Sequence, residues 1–155
     1  MKELIVLIGL PCSGKSTWRE KNDDGYVVCS SDDEIEKLCA ADGLTYNQGF
    51  EKHVKTANHA FDLAVRNAFK NGDNIIIDRT NMSVKSRKRY IGMADRAGYY
   101  KVAVVFEESP DVIAQRMKDR FEKTGKSVPA NVMKSMADNY DAPTQVEGFD
   151  EIRKA

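Results

Sequence analysis

The 155 residues of this chain suit a single domain, and their ordinary composition is typical of a soluble globular protein. A formal net charge of zero argues against a strongly basic binder of nucleic-acid duplexes, although it leaves room for a small basic groove around a strand end. The longest apolar run, Leu4 to Leu10, is too short to span a membrane, and a leader cleaved there would lose the motif that follows, so we expect a cytoplasmic protein.

Strand and helix signals alternate along the whole sequence. In chain order, the predicted elements are a strand over Leu4–Ile8, a helix over Lys15–Lys21, a strand over Tyr26–Cys29, helices over Asp33–Ala41 and Asn47–Asn71, a strand over Ile75–Ile77, a helix over Ser83–Ala97, a strand over Val102–Phe106, helices over Pro110–Lys123 and Pro129–Tyr140, and a short strand over Phe149–Ile152. Alternation of this kind predicts a parallel sheet with helices on both faces. We therefore expect a three-layer α/β fold that forms one domain over residues 1–155.

The predicted helices carry recognisable signals. Apolar residues recur at spacings of four and three along the longest helix, at Phe50, Val54, Ala57, Phe61, Ala64 and Ala68. Gly72 ends that helix as a C-cap, and Ser83 and Gly98 bound the following helix. Tyr46 and Phe50 are expected in the core or at its rim rather than in a platform that stacks on bases.

A phosphate-binding motif follows the first predicted strand. Residues Gly9–Ser16 match the pattern G-x-x-x-x-G-K-[ST] in full. Glycines let the backbone curl so that successive N–H groups face phosphate oxygens, and the helix that begins near Lys15 adds its positive end. Lys15 supplies charge for the β- and γ-phosphates, and Ser16 supplies a hydroxyl ligand for Mg²⁺. The predicted nucleotide-binding residues of this loop are Gly9, Pro11, Cys12, Ser13, Gly14, Lys15, Ser16 and Thr17.

Acidic residues stand at the ends of the predicted strands, where ligands bind in open α/β sheets. Asp32 is our candidate for the carboxylate that accepts a proton from an acceptor hydroxyl or orients it. Helix capping or a first-turn position is the alternative for Asp32 and for Asp33. Asp78 follows three isoleucines, which is typical of an acid that holds Mg²⁺ through water, although a turn would also place an aspartate there. Glu107 and Glu108 are expected in a surface loop.

The last two predicted helices carry a pair of arginines. Arg116 and Arg120 lie one helical turn apart, and mobile arginines stabilise the charge of a transferring phosphoryl group, although a solvated face is the alternative. Both helices open with proline, as first-turn positions permit. The segment Thr124–Val128 between them is rich in small and charged residues. These features predict a mobile lid over approximately residues 110–140.

Basic residues fall into two clusters. The first comprises Lys85, Arg87, Lys88, Arg89 and Arg96, and the second comprises Arg116, Lys118, Arg120, Lys123 and Lys126. A solvated helix face is the simplest explanation of the first cluster.

These motifs together resemble those of the P-loop polynucleotide kinases, the 5′-hydroxyl kinases of tailed phages and of DNA-repair enzymes. The resemblance covers nearly the whole chain. It rests on Gly9–Trp18, on Gly25-Tyr26-Val27 leading to Asp32, on Asp78-x-Thr80-Asn81, on Arg87–Tyr90 with Ala94 and Gly98, on Arg116 and Arg120, and on the tail Pro143-Thr144-x-x-Glu147-Gly148-Phe149. The P-loop alone is generic, whereas the Asp-x-Thr-Asn element and the tail are more discriminating.

The resemblance implies a P-loop kinase fold with a helical lid and a role for each matching residue. The implied catalytic residues are Lys15, Asp32, Arg116 and Arg120, those of the acceptor side are Asp32, Asp78, Thr80 and Asn81, and the magnesium ligands are Ser16 and Asp78. Asp32 would be the general base, and the two lid arginines would clasp the donor phosphates. With Mg²⁺, the γ-phosphate of ATP or another nucleoside triphosphate would pass to a 5′-hydroxyl end of DNA or RNA, a reaction of nucleic-acid repair.

Two positions depart from the pattern of the nucleic-acid kinases. Ser30-Ser31 precede Asp32 where Asn-Arg is usual, and Ile35 stands where the phage enzymes have an arginine that contacts the acceptor phosphate. These departures and the zero net charge favour the alternative, a kinase of a nucleoside, nucleotide, sugar or similar metabolite. A nucleotide-binding regulatory module without turnover is a third reading, against which the complete set of catalytic residues argues. A monomer is expected.

Overall fold

The computed structural model describes every residue of the chain, from Met1 to Ala155. Its strands are β1 (Glu3–Ile8), β2 (Tyr26–Cys29), β3 (Asn74–Ile77), β4 (Tyr100–Val105) and β5 (Glu151–Lys154). Its helices are α1 (Lys15–Asn22), α2 (Ser31–Ala41), α3 (Tyr46–Asn71), α4 (Val84–Ala97), α5 (Pro110–Thr124) and α6 (Ala130–Asp138). Every predicted element is present, which confirms the α/β fold. None of the helices combines the length and the apolar character that crossing a membrane requires.

All five strands run parallel in one sheet, in the order β2-β3-β1-β4-β5. In the central strand β1, Leu4 pairs with Ile75 of β3 on one side and with Lys101 of β4 on the other. The chain builds one half of the sheet after β1 and then crosses to build the other half. The strand order therefore reverses at β1, and ligands of open α/β sheets bind outside the carboxyl ends of the strands at such a point.

The two faces of the sheet bury separate apolar layers. On one face, alternate residues of β1 pack with Phe61 of α3 and Tyr90 of α4. On the other face, the remaining residues of β1 pack with Val104 and Phe106, and Trp18 of α1 covers this layer. Because successive side chains of a strand point to opposite faces, a strand covered on both sides needs an uninterrupted apolar run. The run in β1 therefore accounts for the central position of this strand.

Two local features differ from the predictions for α2 and α3. Helix α2 begins at Ser31 rather than at Asp33, because Ser30 is the N-cap and its Oγ accepts a hydrogen bond of 3.2 Å from the Asp33 amide. Phe50, predicted on the buried stripe of α3, is 40% exposed, whereas Val65 is buried. Phe50 lines a cleft instead of the core.

A buried ion pair holds the C-terminal tail against α4. Arg87 Nε and Nη2 donate to the Glu147 carboxylate at 2.7 and 3.0 Å, and Arg87 Nη1 donates to the carbonyls of Asn81 and Met82. Such a pair is stable in the interior only when further hydrogen bonds satisfy its remaining groups, as they do here. The prediction that Arg87 belongs to a solvated helix face is wrong, since its side chain is fully buried.

Helices α5 and α6 and the loop between them, residues 110–138, form the segment that we call the lid. Ile113 is the only buried residue of α5, and α6 has none. The loop between the two helices contacts α3, since Asn47 Nδ2 donates to Ser127 Oγ at 2.8 Å and the Ser127 amide donates to Asn47 Oδ1 at 3.1 Å. Few buried apolar contacts are typical of elements that open locally. In this conformation the tip of the lid is docked on α3.

Candidate active site

A cleft of about 1180 Å³ opens beside the loop that follows β1. Its walls come from this loop, from α2 and the first turns of α3, from the segments after β3 and β4, and from the lid. The position agrees with the reversal of strand order at β1. The volume is above the range of about 300–1,000 Å³ that is usual for small-molecule sites, so the cleft has room for a nucleotide and for part of an acceptor.

The loop Gly9–Thr17, called the P-loop below, has the backbone that the motif predicts. Gly14 has φ 108° and Cys12 has φ 64°, both in the left-handed region. A Cβ at Gly9 would lie 2.6 Å from Ser13 Oγ and 2.8 Å from the Phe106 Cβ, so only glycine fits there. Residues 11–17 all line the cleft, whereas Gly9 lies behind them and its amide donates to the Thr80 carbonyl at 3.0 Å.

Lys15 lies at the centre of the P-loop. Its ammonium donates to the carbonyls of Gly9 and Leu10 at 2.5 and 3.0 Å. Burial lowers the pKa of Lys15 to about 8, and the negative charges of Asp78 and Asp32 oppose this shift. The charged form of Lys15 is stabilised further when polyphosphate oxygens approach it. The side chain is therefore suited to hold the phosphates of a nucleotide donor.

Asp78 and Ser16 provide the oxygen ligands that a magnesium ion would need. Both line the cleft, and Asp78 is close enough to Lys15 to influence its pKa. Burial raises the pKa of Asp78, and the hydrogen bond from Arg19 opposes that shift. No group of three or more histidine, cysteine, aspartate or glutamate residues forms a protein-only metal cage. Mg²⁺ in nucleotide sites takes one or two protein oxygens with phosphates and waters, so these residues fit the ion.

Arg19 does not line the cleft, but it holds two carboxylates that do, Asp33 and Asp78, and sequence reasoning missed it. Its Nη2 lies 2.5 Å from Asp33 Oδ2 and its Nη1 lies 3.1 Å from Asp78 Oδ2, so one guanidinium joins the first turn of α2 to the residue after β3. These two partners raise the pKa of Arg19. The sequence feature that could have pointed to Arg19 is its spacing, because Arg19 is one helical turn beyond Lys15 on α1 and hence on the same face.

Asp32 lies on the opposite wall of the cleft, in the first turn of α2. Ser30 supplies the cap of this helix, so Asp32 is not the cap, but Asp32 and Asp33 both occupy the first-turn positions that the alternative predicted. Its side chain is 54% exposed, and it accepts a hydrogen bond of 2.8 Å from the Tyr46 hydroxyl on Oδ1 and one of 3.3 Å from Lys126 Nζ on Oδ2. Burial, and next the charge of Asp32, raise the pKa of Tyr46, so its hydroxyl remains a donor. Nothing in the sequence links Tyr46 or Lys126 to Asp32.

The two lid arginines face the P-loop. Arg116 Nη1 donates to the Cys12 carbonyl at 3.1 Å, and Arg116 Nη2 lies 3.4 Å from Glu108. Glu108, expected in a surface loop, lines the cleft. Arg120 Nε and Nη2 are buried without a hydrogen-bond partner, and so is Ser13 Oγ. These three are the only buried side-chain polar atoms of the protein without a partner, and they all belong to residues that line the cleft.

The element after β3 divides between the cleft and the scaffold. Thr80 lines the cleft, but Asn81 does not. Asn81 is 4% exposed, has φ 49°, and donates from Nδ2 to the Leu7 carbonyl at 2.8 Å. Asparagine tolerates the left-handed region, which suits it to this turn. The structure thus gives Asn81 a scaffold role next to the site. The neighbouring Arg79 packs its guanidinium over the Phe61 ring, with its central carbon 4.9 Å from the ring centroid.

Comparison with known families gives one match over most of the chain. A family model described as an AAA domain matches residues 4–143. The L-seryl-tRNA(Sec) kinase of Methanococcus maripaludis is 24% identical over 148 residues, which are 90% of this chain and 53% of that kinase. The bifunctional polynucleotide phosphatase/kinase of Schizosaccharomyces pombe is 24% identical over 158 residues, 99% of this chain and 33% of that enzyme. The chain thus spans about half and a third of the length of these relatives.

Solved structures agree on the fold. A chain of the PezAT chromosomal toxin-antitoxin system of Streptococcus pneumoniae superimposes with a TM-score of 0.79 at 17% identity, over 99% of this chain and 66% of that chain. A chain of the Pnkp1/Rnl/Hen1 RNA repair complex superimposes with a TM-score of 0.68 at 25% identity, over 89% of this chain and 43% of that chain.

Proposed function

The chain belongs to the AAA domain family. On this premise we propose that it is a P-loop kinase of the polynucleotide-kinase-like group, which transfers the γ-phosphate of a nucleoside triphosphate to the 5′-hydroxyl end of DNA or RNA. One observation carries the proposal. The buried side-chain polar atoms without a partner all belong to two residues that line the cleft, Ser13 of the P-loop and Arg120 of the lid. Buried donors of this kind are stabilised by a ligand that brings acceptor oxygens, and a triphosphate is such a ligand.

The donor half of the reaction follows from the P-loop and the lid. Backbone amides of the P-loop and the Lys15 ammonium would hold the β- and γ-phosphates, with Arg116 and Arg120 approaching from the lid. Ser16 and Asp78 would hold Mg²⁺, which when bound neutralises charge on the phosphate oxygens. A lid that carries two arginines also excludes water, and this favours transfer to an alcohol over hydrolysis.

The acceptor half of the reaction depends on Asp32. This carboxylate would accept the proton of the acceptor hydroxyl while the hydroxyl oxygen attacks the γ-phosphorus. A bond forms between that oxygen and phosphorus, the bond to the β-phosphate oxygen breaks, and the nucleoside diphosphate leaves. The exposed position of Asp32 supports this role, because a base buried away from the cleft could not reach an incoming hydroxyl.

Relatives support a nucleic-acid acceptor. The names of two curated relatives give a tRNA and polynucleotides as their substrates. The structural neighbour at 25% identity comes from an RNA repair complex. We therefore propose a hydroxyl-ended nucleic acid as the first acceptor to test.

A small-molecule acceptor is the second candidate, and the charge of α2 favours it. The first turn of α2 carries Asp32, Asp33 and Glu34, with Glu36 close behind, and Lys126 is already paired with two of these carboxylates. Ile35 is 2% exposed in the core between α2 and α3, so no cation takes the place of the arginine of the phage enzymes. An acidic wall of this kind repels a phosphodiester backbone more than it repels a neutral hydroxyl compound.

The decisive experiment follows labelled γ-phosphate from ATP in the presence of Mg²⁺. Hydroxyl-ended single-stranded DNA and RNA are tested beside a panel of nucleosides, nucleotides and sugars, with Asp32→Ala as the inactive control. Label on an oligonucleotide that is lost in Asp32→Ala would support the first proposal. Label on a panel compound alone would replace it with the second candidate, and nucleotide binding without any transfer would refute both.

A further inference from the structure

A lysine of the lid reaches the acceptor side of the cleft. Lys126 lies in the loop between α5 and α6, four residues before helix α6 begins. Its side chain is only 10% exposed. A lysine on a loop at the edge of a fold normally keeps its ammonium in water, because holding it still costs rotamer entropy. The burial of Lys126 therefore needs specific partners.

Three partners surround the Lys126 ammonium. It donates to Glu36 Oε1 at 2.9 Å and to Asp32 Oδ2 at 3.3 Å, and it lies 4.3 Å from the centroid of the Tyr46 ring. Glu36 lies one helical turn after Asp32, so the two carboxylates approach the ammonium from the same face of α2. Two opposite charges and an aromatic face together compensate the loss of hydration.

The docked tip of the lid fixes this arrangement. Ser127, the next residue, exchanges two hydrogen bonds with Asn47, and a Cβ at Gly125 would lie 3.4 Å from Thr45. Thus both neighbours of Lys126 lie against the N-terminal end of α3. Lys126 reaches Asp32 when the lid is docked in this way, and undocking would withdraw it.

Asp32 is held from two sides. Tyr46 donates to Oδ1 and Lys126 donates to Oδ2, so each oxygen has one donor and retains a lone pair for an incoming hydroxyl. Tyr46 belongs to α3, whereas Lys126 belongs to the lid. Only one of the two donors therefore depends on the state of the lid.

We propose that Lys126 is a positioning residue that couples closure of the lid to the alignment of Asp32, an inference that rests on the proposed role of Asp32 as the base. The same lid carries Arg116 and Arg120 to the donor phosphates. Docking of one segment, the lid, thus completes both halves of the site at once: arginines at the donor and a lysine at the base. Transfer is fast only when both are in place.

The test compares Lys126→Ala with Lys123→Ala, an exposed lysine of the same lid, and with the conservative Lys126→Arg. Turnover with the acceptor found for the wild type and the KM for ATP are measured for each. We expect kcat of Lys126→Ala to fall roughly 10- to 100-fold while KM for ATP changes little, since misplacing a catalytic group by about 1 Å has effects of this size. Lys126→Arg should recover most of the activity, and Lys123→Ala should match the wild type.

Amide exchange of residues 124–128 provides a readout without turnover. The Ser127 amide, which donates to Asn47, should exchange faster in Lys126→Ala than in Lys123→Ala if the ammonium holds the tip down. Equal exchange and equal kcat in the two variants, with an active wild type, would overturn this inference and leave the proposed function standing. A wild type without transfer, or an Asp32→Ala variant of full activity, would overturn the proposed function and this inference with it.

Discussion

The donor and acceptor sides of the cleft are built in different ways. The donor side is one stretch of consecutive residues, Gly9–Thr17, whose backbone conformation creates the binding surface, and the lid adds two arginines. The acceptor side gathers Asp32, Tyr46 and Lys126 from α2, α3 and the lid. The donor side is thus defined mainly by local geometry, and the acceptor side by tertiary packing.

This difference has a consequence for specificity. A triphosphate cradle made from backbone amides tolerates many changes elsewhere in the fold, because its geometry depends on a few glycines. A pocket assembled from three elements changes its shape and charge with each substitution. Related P-loop proteins can therefore keep one donor and take different acceptors. In this chain, the acidic first turn of α2 is a change of charge on the acceptor side.

Asp32→Ala should separate the two sides most clearly. Transfer should fall roughly 10²- to 10⁴-fold, because a positioned base contributes that much, while the Kd for ATP stays near that of the wild type. Rapid-quench assays and calorimetry measure the two quantities. Lys37→Ala, an exposed change on the same helix, serves as the control. Equal losses in ATP binding and in transfer would contradict the division into two sides.

Lys15→Ala should affect the donor side in both binding and turnover. Removing a preorganised charge from a closed site typically lowers kcat roughly 10²- to 10³-fold, and here the KM for ATP should rise as well. Lys55→Ala, an exposed lysine on α3, is the matched control. If Lys15→Ala lowered kcat and left ATP binding intact, the P-loop lysine would not be a ground-state ligand of the phosphates.

Arg19→Ala should test the link between the two sides. Asp78 is 11% exposed and would lose its hydrogen-bonded partner, which should lower the free energy of unfolding by about 1–3 kcal/mol. Asp33→Ala removes the more exposed partner of the same guanidinium, and a surface pair contributes less, about 0–1 kcal/mol. Urea denaturation of both variants gives the comparison. Equal losses in the free energy of unfolding of the two variants would mean that the burial of Asp78 does not determine the size of the loss.

The smallest expected effect is the pH dependence of kcat/KM for ATP, which concerns the donor side alone. Because burial lowers the pKa of Lys15 to about 8, its ammonium is charged below that pH and neutral above it. The value of kcat/KM for ATP should therefore fall as pH rises through about 8, approaching tenfold per pH unit. In Lys15→Arg the guanidinium stays charged, so this alkaline limb should disappear. A limb that persists in Lys15→Arg would belong to another group.

The helices and strands could be predicted because each carries its own signal. The apolar run of β1, the glycine after α3 and the serine before α4 all act within a few residues of the chain. The predicted start of α2 was displaced by two residues because a serine cap and an aspartate cap have the same sequence signature. The burial of Arg87 could not be predicted, because its partner Glu147 lies 60 residues away in the sequence.

The amino-acid sequence by itself determined the parallel fold and the phosphate cradle, since periodic burial and a contiguous motif depend on neighbouring residues. Tertiary structure alone decided that Arg19 joins Asp33 to Asp78, that Asn81 supports the loop instead of lining the cleft, and that Lys126 reaches Asp32. These contacts join residues that are 14 to 94 positions apart. Whether two side chains meet across such separations depends on how the helices and strands pack, and no local sequence pattern encodes it.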